Sequence, residues 1–363
     1  MIRLPKAIPG RSTQPTNTHP DRGTSRHRPS RSPKQHHLVP WTAFSGVLGL
    51  LKSFEELVDH DQQEPGPTPQ RTLQHRQSRG HDMSTSNSKP EIRSLDRGEG
   101  AVAYEVNGTG PLIICIPGMG DLRSSFRFLR PQLLVAGYRV AVMDLRGHGD
   151  SDHSFAEYGD VPTAGDIKAL ALKLGGPAML VGNSMAAGSA VLVAAQHPEL
   201  VSGLVLLGSF VREPEHSGLT RLATRMLMAR PWAAAAWNRY LPKLYAGTRP
   251  ADFAQYRAAL TTAMRRPGYA KAFSLTTRTR HHDADQALPI VRAPALIVMG
   301  EQDPDFPDPA LEARWITDTL HGELLMVPEA GHYPHSQRPD LVGPAVTTFA
   351  RRLEHNSTLT PAM

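Results

Sequence analysis

Cysteine is almost missing from this chain: Cys115 stands alone among 363 residues. A disulfide framework is thereby excluded, and a cysteine-built metal site would have a single ligand to draw on. Such scarcity fits a reducing compartment, and a cytoplasmic location is the expectation. Long apolar runs are missing as well. No stretch reaches the roughly 18 apolar residues that span a bilayer. The longest apolar run near the start, Gly46–Leu51, is too short and too far in for a signal-peptide core. A basic field over the folded part is the third absence. The formal charge is +6, yet residues 1–82 hold 12 Lys/Arg against 7 Asp/Glu, which leaves 28 against 27 for everything after them. The positive charge sits in the N-terminal tail, so no nucleic-acid groove is implied. A small molecule is the expected partner.

What is present is 40% hydrophobic residues over a length that suits one large α/β domain with additions. Residues 1–82 read as a separate, disordered extension, rich in Pro, Arg, Ser, Gln and His. Within it, Trp41–Val58 repeats Phe44, Val47, Leu48, Leu51, Phe54 and Leu57 at helical spacing, which predicts a short amphipathic helix. The Arg- and Ser-rich start also resembles a transit peptide, although its prolines break the helix such a signal needs. A third reading makes Met83 the true start.

From about residue 91 the pattern changes. Ala101–Val106 alternates and ends in Asn107-Gly108, a hairpin signal. Leu112–Ile116 is a continuous apolar run, as in a strand covered on both faces. The spacing then predicts a helix over 123–136, a strand at 139–143, a helix over 163–174, a strand at 178–181, a helix over 185–196 and a strand at 201–207. Such alternation demands a mostly parallel sheet flanked by helices. It stops at residues 209–285, which read as helices broken at Pro231 and Pro250. The sheet resumes at 295–299, followed by a helix at 309–320, a strand at 323–327 and a helix at 340–353. The expected organisation is a core of residues 91–208 and 286–355, with 209–285 inserted as a helical cap.

The chemistry gathers at strand ends. In Gly182-Asn183-Ser184-Met185-Ala186 an apolar strand runs into an Ala-rich helix across one serine. A serine on such a sharp turn is strained and projects its hydroxyl outward, and only small residues fit two positions before and after it. The blander alternative is a buried serine that caps the helix. Ile116-Pro117-Gly118-Met119-Gly120-Asp121 follows a buried strand, and its glycines let backbone N–H groups turn towards a bound carbonyl. Met119 and Met185 are the expected oxyanion donors. Asp303, beyond the strand-ending Gly300, is the candidate acid, with Asp305 its rival and Glu301 and Asp308 read as solvated. His332 in Ala330-Gly331-His332 is the candidate base, with His335 the alternative. His148, in the polar turn Asp144–Asp152, reads as structural.

The order Ser184, Asp303, His332 resembles the α/β-hydrolase superfamily over about residues 91–355. The Asp144–Asp152 stretch is similar to a turn common among its lipases, haloperoxidases, C–C hydrolases and dehalogenases. The resemblance implies an eight-stranded, mostly parallel α/β sheet with a helical cap. It also implies a Ser-His-Asp triad that needs no metal or cofactor. Two departures stand out: Pro117 replaces the histidine many relatives carry before the oxyanion glycine, and Ala186 replaces a glycine. Ser184 itself argues against haloalkane dehalogenases and epoxide hydrolases, which use aspartate there. The expected activity is hydrolysis of a small to medium apolar ester through an acyl-enzyme. The inserted segment's Trp and Tyr residues, Met226 and Met228 are candidates to line the acyl pocket. Cleavage of another bond type (C–C, amide, lactone or peracid chemistry) and a non-catalytic ligand-binding protein are the alternatives.

Overall fold

The computed structural model describes residues 91–213, 226–229 and 232–359. The extension 1–82, its expected helix at 41–58 and Met83 lie outside the described residues. Eight strands form one sheet: β1 (Arg93–Asp96), β2 (Ala101–Asn107), β3 (Leu112–Ile116), β4 (Arg139–Met143), β5 (Ala178–Asn183), β6 (Val201–Leu207), β7 (Ala295–Gly300) and β8 (Glu323–Val327). Their order across the sheet is β1-β2-β4-β3-β5-β6-β7-β8. Only β2 runs against its neighbours, β1 and β4; every other pair is parallel.

Period-two alternation of the central strands splits the core into two layers. Ile114, Ile116 and Leu180 face one side, where they pack with α2 (Asp160–Leu174), α3 (Met185–Gln196) and α8 (Pro309–Leu320). Ile113, Cys115 and Val181 face the other, where α1 (Leu129–Val135) and α10 (Pro339–Leu359) cover them. Every residue of β3 and β5 is buried, which is why both read as unbroken apolar runs.

Among the described residues the connection from β6 to β7 contains no strand; its α-helices are α4 (Ala233–Leu244), α5 (Phe253–Met264), α6 (Tyr269–Thr276) and α7 (His282–Ala287). They enclose their own apolar cluster, with Trp237, Leu241, Tyr245, Leu260 and Phe273, and Tyr333 from beyond β8 joins it. A short helix, α9 (Pro334–Gln337), follows that tyrosine. No helix among the described residues is long and apolar enough to cross a membrane.

Three local expectations are corrected. Asn107-Gly108 does not close a hairpin, because β4 lies between β2 and β3 in the sheet. The helix expected over 123–136 is a 3₁₀ segment, Arg123–Arg127, followed by α1. Pro131 explains the break: it has no N–H for the Arg127 carbonyl, and its ring would clash there. The strand expected to end at Val181 runs on to Asn183, up to the serine itself.

Candidate active site

Ser184 joins β5 to α3 with φ 58° and ψ −125°. Outside glycine such a backbone is uncommon and costs about 1–3 kcal/mol, so the surrounding structure must hold it there. Two contacts do so: the Ser184 N–H donates to Leu207 O at 2.9 Å, and its carbonyl accepts from Phe210 N–H at 3.2 Å. The hydroxyl makes no capping bond to the helix, which removes the helix-cap alternative. Gly182 is required by space. A Cβ there would lie 2.5 Å from the Ala186 carbonyl oxygen. Gly182→Ala is therefore expected to cost about 1–3 kcal/mol by overpacking. Urea unfolding measures it, and an unchanged midpoint would show that the turn can open.

His332 and Asp303 meet beside this turn. The Nδ1–H of His332 donates to Asp303 Oδ2 at 2.8 Å, and both side chains are buried. Asn183, next to the serine, donates from Nδ2 to the carbonyls of Leu207 (3.0 Å) and His332 (3.2 Å). Phe210, bonded to Ser184 through its N–H, sets its ring 5.9 Å from the His332 ring. A Cβ on Gly208 would meet His332 Nδ1 at 3.2 Å and Asp303 Oδ2 at 3.3 Å. The ends of β5, β6, β7 and β8 thus bring the three expected residues to one rim. The Asp303–His332 hydrogen bond is formed; no hydrogen bond between Ser184 Oγ and His332 is present.

Asp305 is part of the same network. Its Oδ2 lies 3.7 Å from His332 Nδ1, its N–H donates to Asp303 Oδ1 at 3.0 Å, and Tyr240 of α4 donates to its Oδ1. Burial opposes a charge on His332, but the carboxylates of Asp303, then Asp305 and Asp121, outweigh it and push its pKa up to about 9. Burial also raises Asp305. Asp303, Asp305 and His332 have donor atoms within 4.8 Å of one another, and they are the set among the described residues that could hold a cation. His332 Nδ1 is already committed to Asp303.

The loop after β3 packs on the serine: a Cβ on Gly118 would lie 2.8 Å from Ser184 Cβ. Gly120 is held from two sides. Its N–H donates to His148 Nε2 at 2.9 Å, and its carbonyl accepts from Trp237 Nε1 at 2.7 Å. His148 Nδ1 donates to Arg146 O at 2.8 Å, and burial pushes its pKa down to about 4, so the ring stays neutral and accepting. The N–H groups of Met119 and Met185 donate to no backbone carbonyl outside regular elements. The clamp by Trp237 carries no sequence signal, because the partners lie 117 residues apart.

The remaining candidates separate cleanly. His335 is fully buried, stacked on Phe126 at 4.7 Å, and burial pushes its pKa down to about 3. Asp308 caps α8, accepting from Leu311 N–H at 2.9 Å, and Glu301 is exposed. Asp144 anchors the polar turn, accepting from the N–H groups of Arg123 (2.8 Å) and Asp150 (2.9 Å). Met226 and Trp232 face outward, whereas Trp237 and Tyr245 are buried.

A family model described as the alpha/beta hydrolase family matches residues 113–345. Over 267 residues the chain is 30% identical to a 2-(acetamidomethylene)succinate hydrolase of Mesorhizobium japonicum, covering 71% of this chain and 94% of that protein. Over 256 residues it is 27% identical to an sn-1-specific diacylglycerol lipase of Mus musculus, covering 67% and 82%. Among solved structures, a thermophilic esterase from Thermogutta terrifontis superposes with a TM-score of 0.63 at 24% identity, covering 72% of this chain and 99% of the esterase. That likeness concerns the fold alone. The matched span takes in the strands and the turns that carry Ser184, Asp303 and His332, and on this ground the chain belongs to the alpha/beta hydrolase family of enzymes.

Proposed function

We propose that this enzyme hydrolyses a small to medium apolar ester through an acyl-enzyme on Ser184. The observation that carries the reading is the strained, uncapped serine beside a buried Asp303–His332 pair. A free serine hydroxyl is a poor nucleophile at neutral pH, so a base must take its proton. His332 does this through Nε2, because Asp303 holds the Nδ1 proton. The developing oxyanion is met by the N–H groups of Met119 and Met185. His332 then protonates the leaving alcohol, and water attacks the acyl carbon as His332 accepts its proton. Phe210, Phe306, Trp237 and Phe273 cluster around His332 and Gly120, which supports an apolar acyl group.

The base must be neutral to act, and its pKa lies above the ordinary histidine value. The neutral fraction therefore grows as pH rises, and kcat/KM is expected to climb from about pH 6 towards about pH 9. Because the Asp305 carboxylate helps raise His332, Asp305→Asn is expected to move that rise to lower pH. Steady-state rates across the range check this; a rise unmoved by the substitution would remove Asp305 from the network.

The test of the reading is a fluorophosphonate probe with peptide mapping, run beside p-nitrophenyl esters of increasing chain length. Label on Ser184 together with ester turnover is expected. Label without turnover on any ester would favour cleavage of another bond. No label would leave a binding protein.

A further inference from the structure

Three loops of the candidate site rest on one face of a single helix from the segment between β6 and β7. Trp237, Tyr240 and Leu244 of α4 are spaced three and four residues apart, so they share one side of it. Trp237 Nε1 reaches the Gly120 carbonyl in the loop after β3. The Tyr240 hydroxyl donates to Asp305 Oδ1 in the loop after β7. The last carbonyls of a helix need donors from elsewhere, and that of Leu244 accepts from the His332 N–H at 2.8 Å in the loop after β8. Past α4 the chain stays on that loop. Thr248 N–H donates to Glu329 O at 2.8 Å. Gln337 Nε2 donates to the carbonyls of Ala246 (2.7 Å) and Thr248 (2.8 Å), while its Oε1 accepts from Gly331 N–H at 2.9 Å.

Of these contacts, the one at Tyr240 bears on the proton chemistry. It starts an unbroken line of hydrogen bonds. The Tyr240 O–H donates to Asp305 Oδ1, the Asp305 N–H to Asp303 Oδ1, and Asp303 Oδ2 accepts from the Nδ1–H of His332. Burial and the neighbouring Asp303 charge both favour a proton on Asp305; His332 and the Tyr240 hydroxyl oppose it, because a donor to a carboxylate stabilises its charged form. Burial and the two carboxylates push the phenol itself well above the ordinary tyrosine value, so it keeps its proton to donate. The groups that face His332 are Asp303 and Asp305 after β7, Asp121 after β3, and Tyr333 and His335 in its own loop.

We propose that Tyr240 is a positioning residue for His332, acting through Asp305, and that the seating of α4 thereby sets how readily the base accepts a proton. The kinetic consequence rests on the acyl-enzyme reading. Asp305 Oδ2 stands 3.7 Å from His332 Nδ1, beyond a hydrogen bond, so it supports the ring by its charge alone. Without the phenol that carboxylate gains a proton more easily and is free to turn away. The imidazolium formed as Ser184 gives up its proton then loses one of the charges that stabilise it. Tyr240 touches no reacting atom.

The experiment measures kcat and KM for p-nitrophenyl acetate from about pH 5 to about pH 10 on the full chain. It compares the parent, Tyr240→Phe, Asp305→Asn and the double variant, and follows the downfield Nδ1–H proton of His332 by NMR in each. Tyr240→Phe is expected to move both the rise of kcat/KM and the His332 titration to lower pH, the direction expected of Asp305→Asn. At alkaline pH its kcat should fall about threefold to tenfold with KM within about twofold. The double variant should lie within about twofold of Asp305→Asn alone, because both changes act through one carboxylate. A rise left where the parent has it, a raised KM with kcat unchanged, or a full second loss in the double variant would overturn the proposal. If Tyr240→Phe does not fold, Tyr240→Met takes its place and is read the same way. A parent in which the fluorophosphonate labels no serine fails the acyl-enzyme reading, and the NMR titration then decides on Tyr240 by itself. A labelled parent whose rates and titration ignore the loss of the phenol sinks this inference only.

Discussion

Ser184→Ala is expected to lower kcat for p-nitrophenyl esters by about 10⁵-fold or more, as loss of a triad nucleophile does elsewhere. The residual rate is then expected from the proposed oxyanion donors, Met119 and Met185, and bound substrate. Stability should hardly move. The hydroxyl makes no capping bond, so its removal strands no partner, and alanine keeps the backbone at the same φ of 58°. Ser184→Gly separates strain from chemistry. Glycine reaches that φ freely, so the variant should be equally inactive yet more stable than Ser184→Ala by about 1 kcal/mol, less what it loses in unfolded-chain entropy. Ester kinetics and urea melts on the two variants measure both effects. An alanine variant within about tenfold of the parent would end the nucleophile assignment.

Asp303→Asn carries the second large effect. Asp303 Oδ2 accepts a hydrogen bond from the Nδ1–H of His332 at 2.8 Å, which in the proposed mechanism leaves Nε2 without a proton and free for the serine. An asparagine amide can turn its NH₂ to Nδ1 and select the opposite tautomer. A fall in kcat of about 10³–10⁴-fold is expected, with little change in KM. Asp305 limits the damage without cancelling it. It stands 3.7 Å from Nδ1, beyond hydrogen-bond reach, yet its charge still favours the imidazolium. Asp305→Asn alone should cost less than about tenfold at alkaline pH, and the double variant more than the two single losses combined. If Asp305→Asn proves the more damaging, the two carboxylates have exchanged roles.

The sheet was legible because its buried strands announce themselves. Leu112–Ile116 admits no polar residue, and the serine, acid and histidine each follow such a run within a few positions. Strand β1 escaped notice because an edge strand needs little: Leu95 is its only buried residue. The break before α1 was readable in Pro131, but only by following its i−4 carbonyl rather than the hydrophobic period. The site's outer ring was not legible at all. Tyr240 reaches Asp305 across 65 residues and Trp237 reaches Gly120 across 117. Such contacts depend on how α4 settles over the sheet, and no local periodicity encodes that. His148 reads in the sequence as a structural residue of its turn, and its grip on the Gly120 N–H gives it a positional task that a turn motif does not reveal.

The indole of Trp237 packs 5.3 Å from Phe273 while bonding the Gly120 carbonyl. If the ester reading holds, one side chain both borders the acyl group and steadies the loop whose N–H groups meet its negative charge. Trimming it to admit bulkier esters would slacken that loop in the same stroke. On the proposed ester reading, breadth of acceptance and speed of turnover are tied to a single ring, and an engineer who wants both must find the space elsewhere.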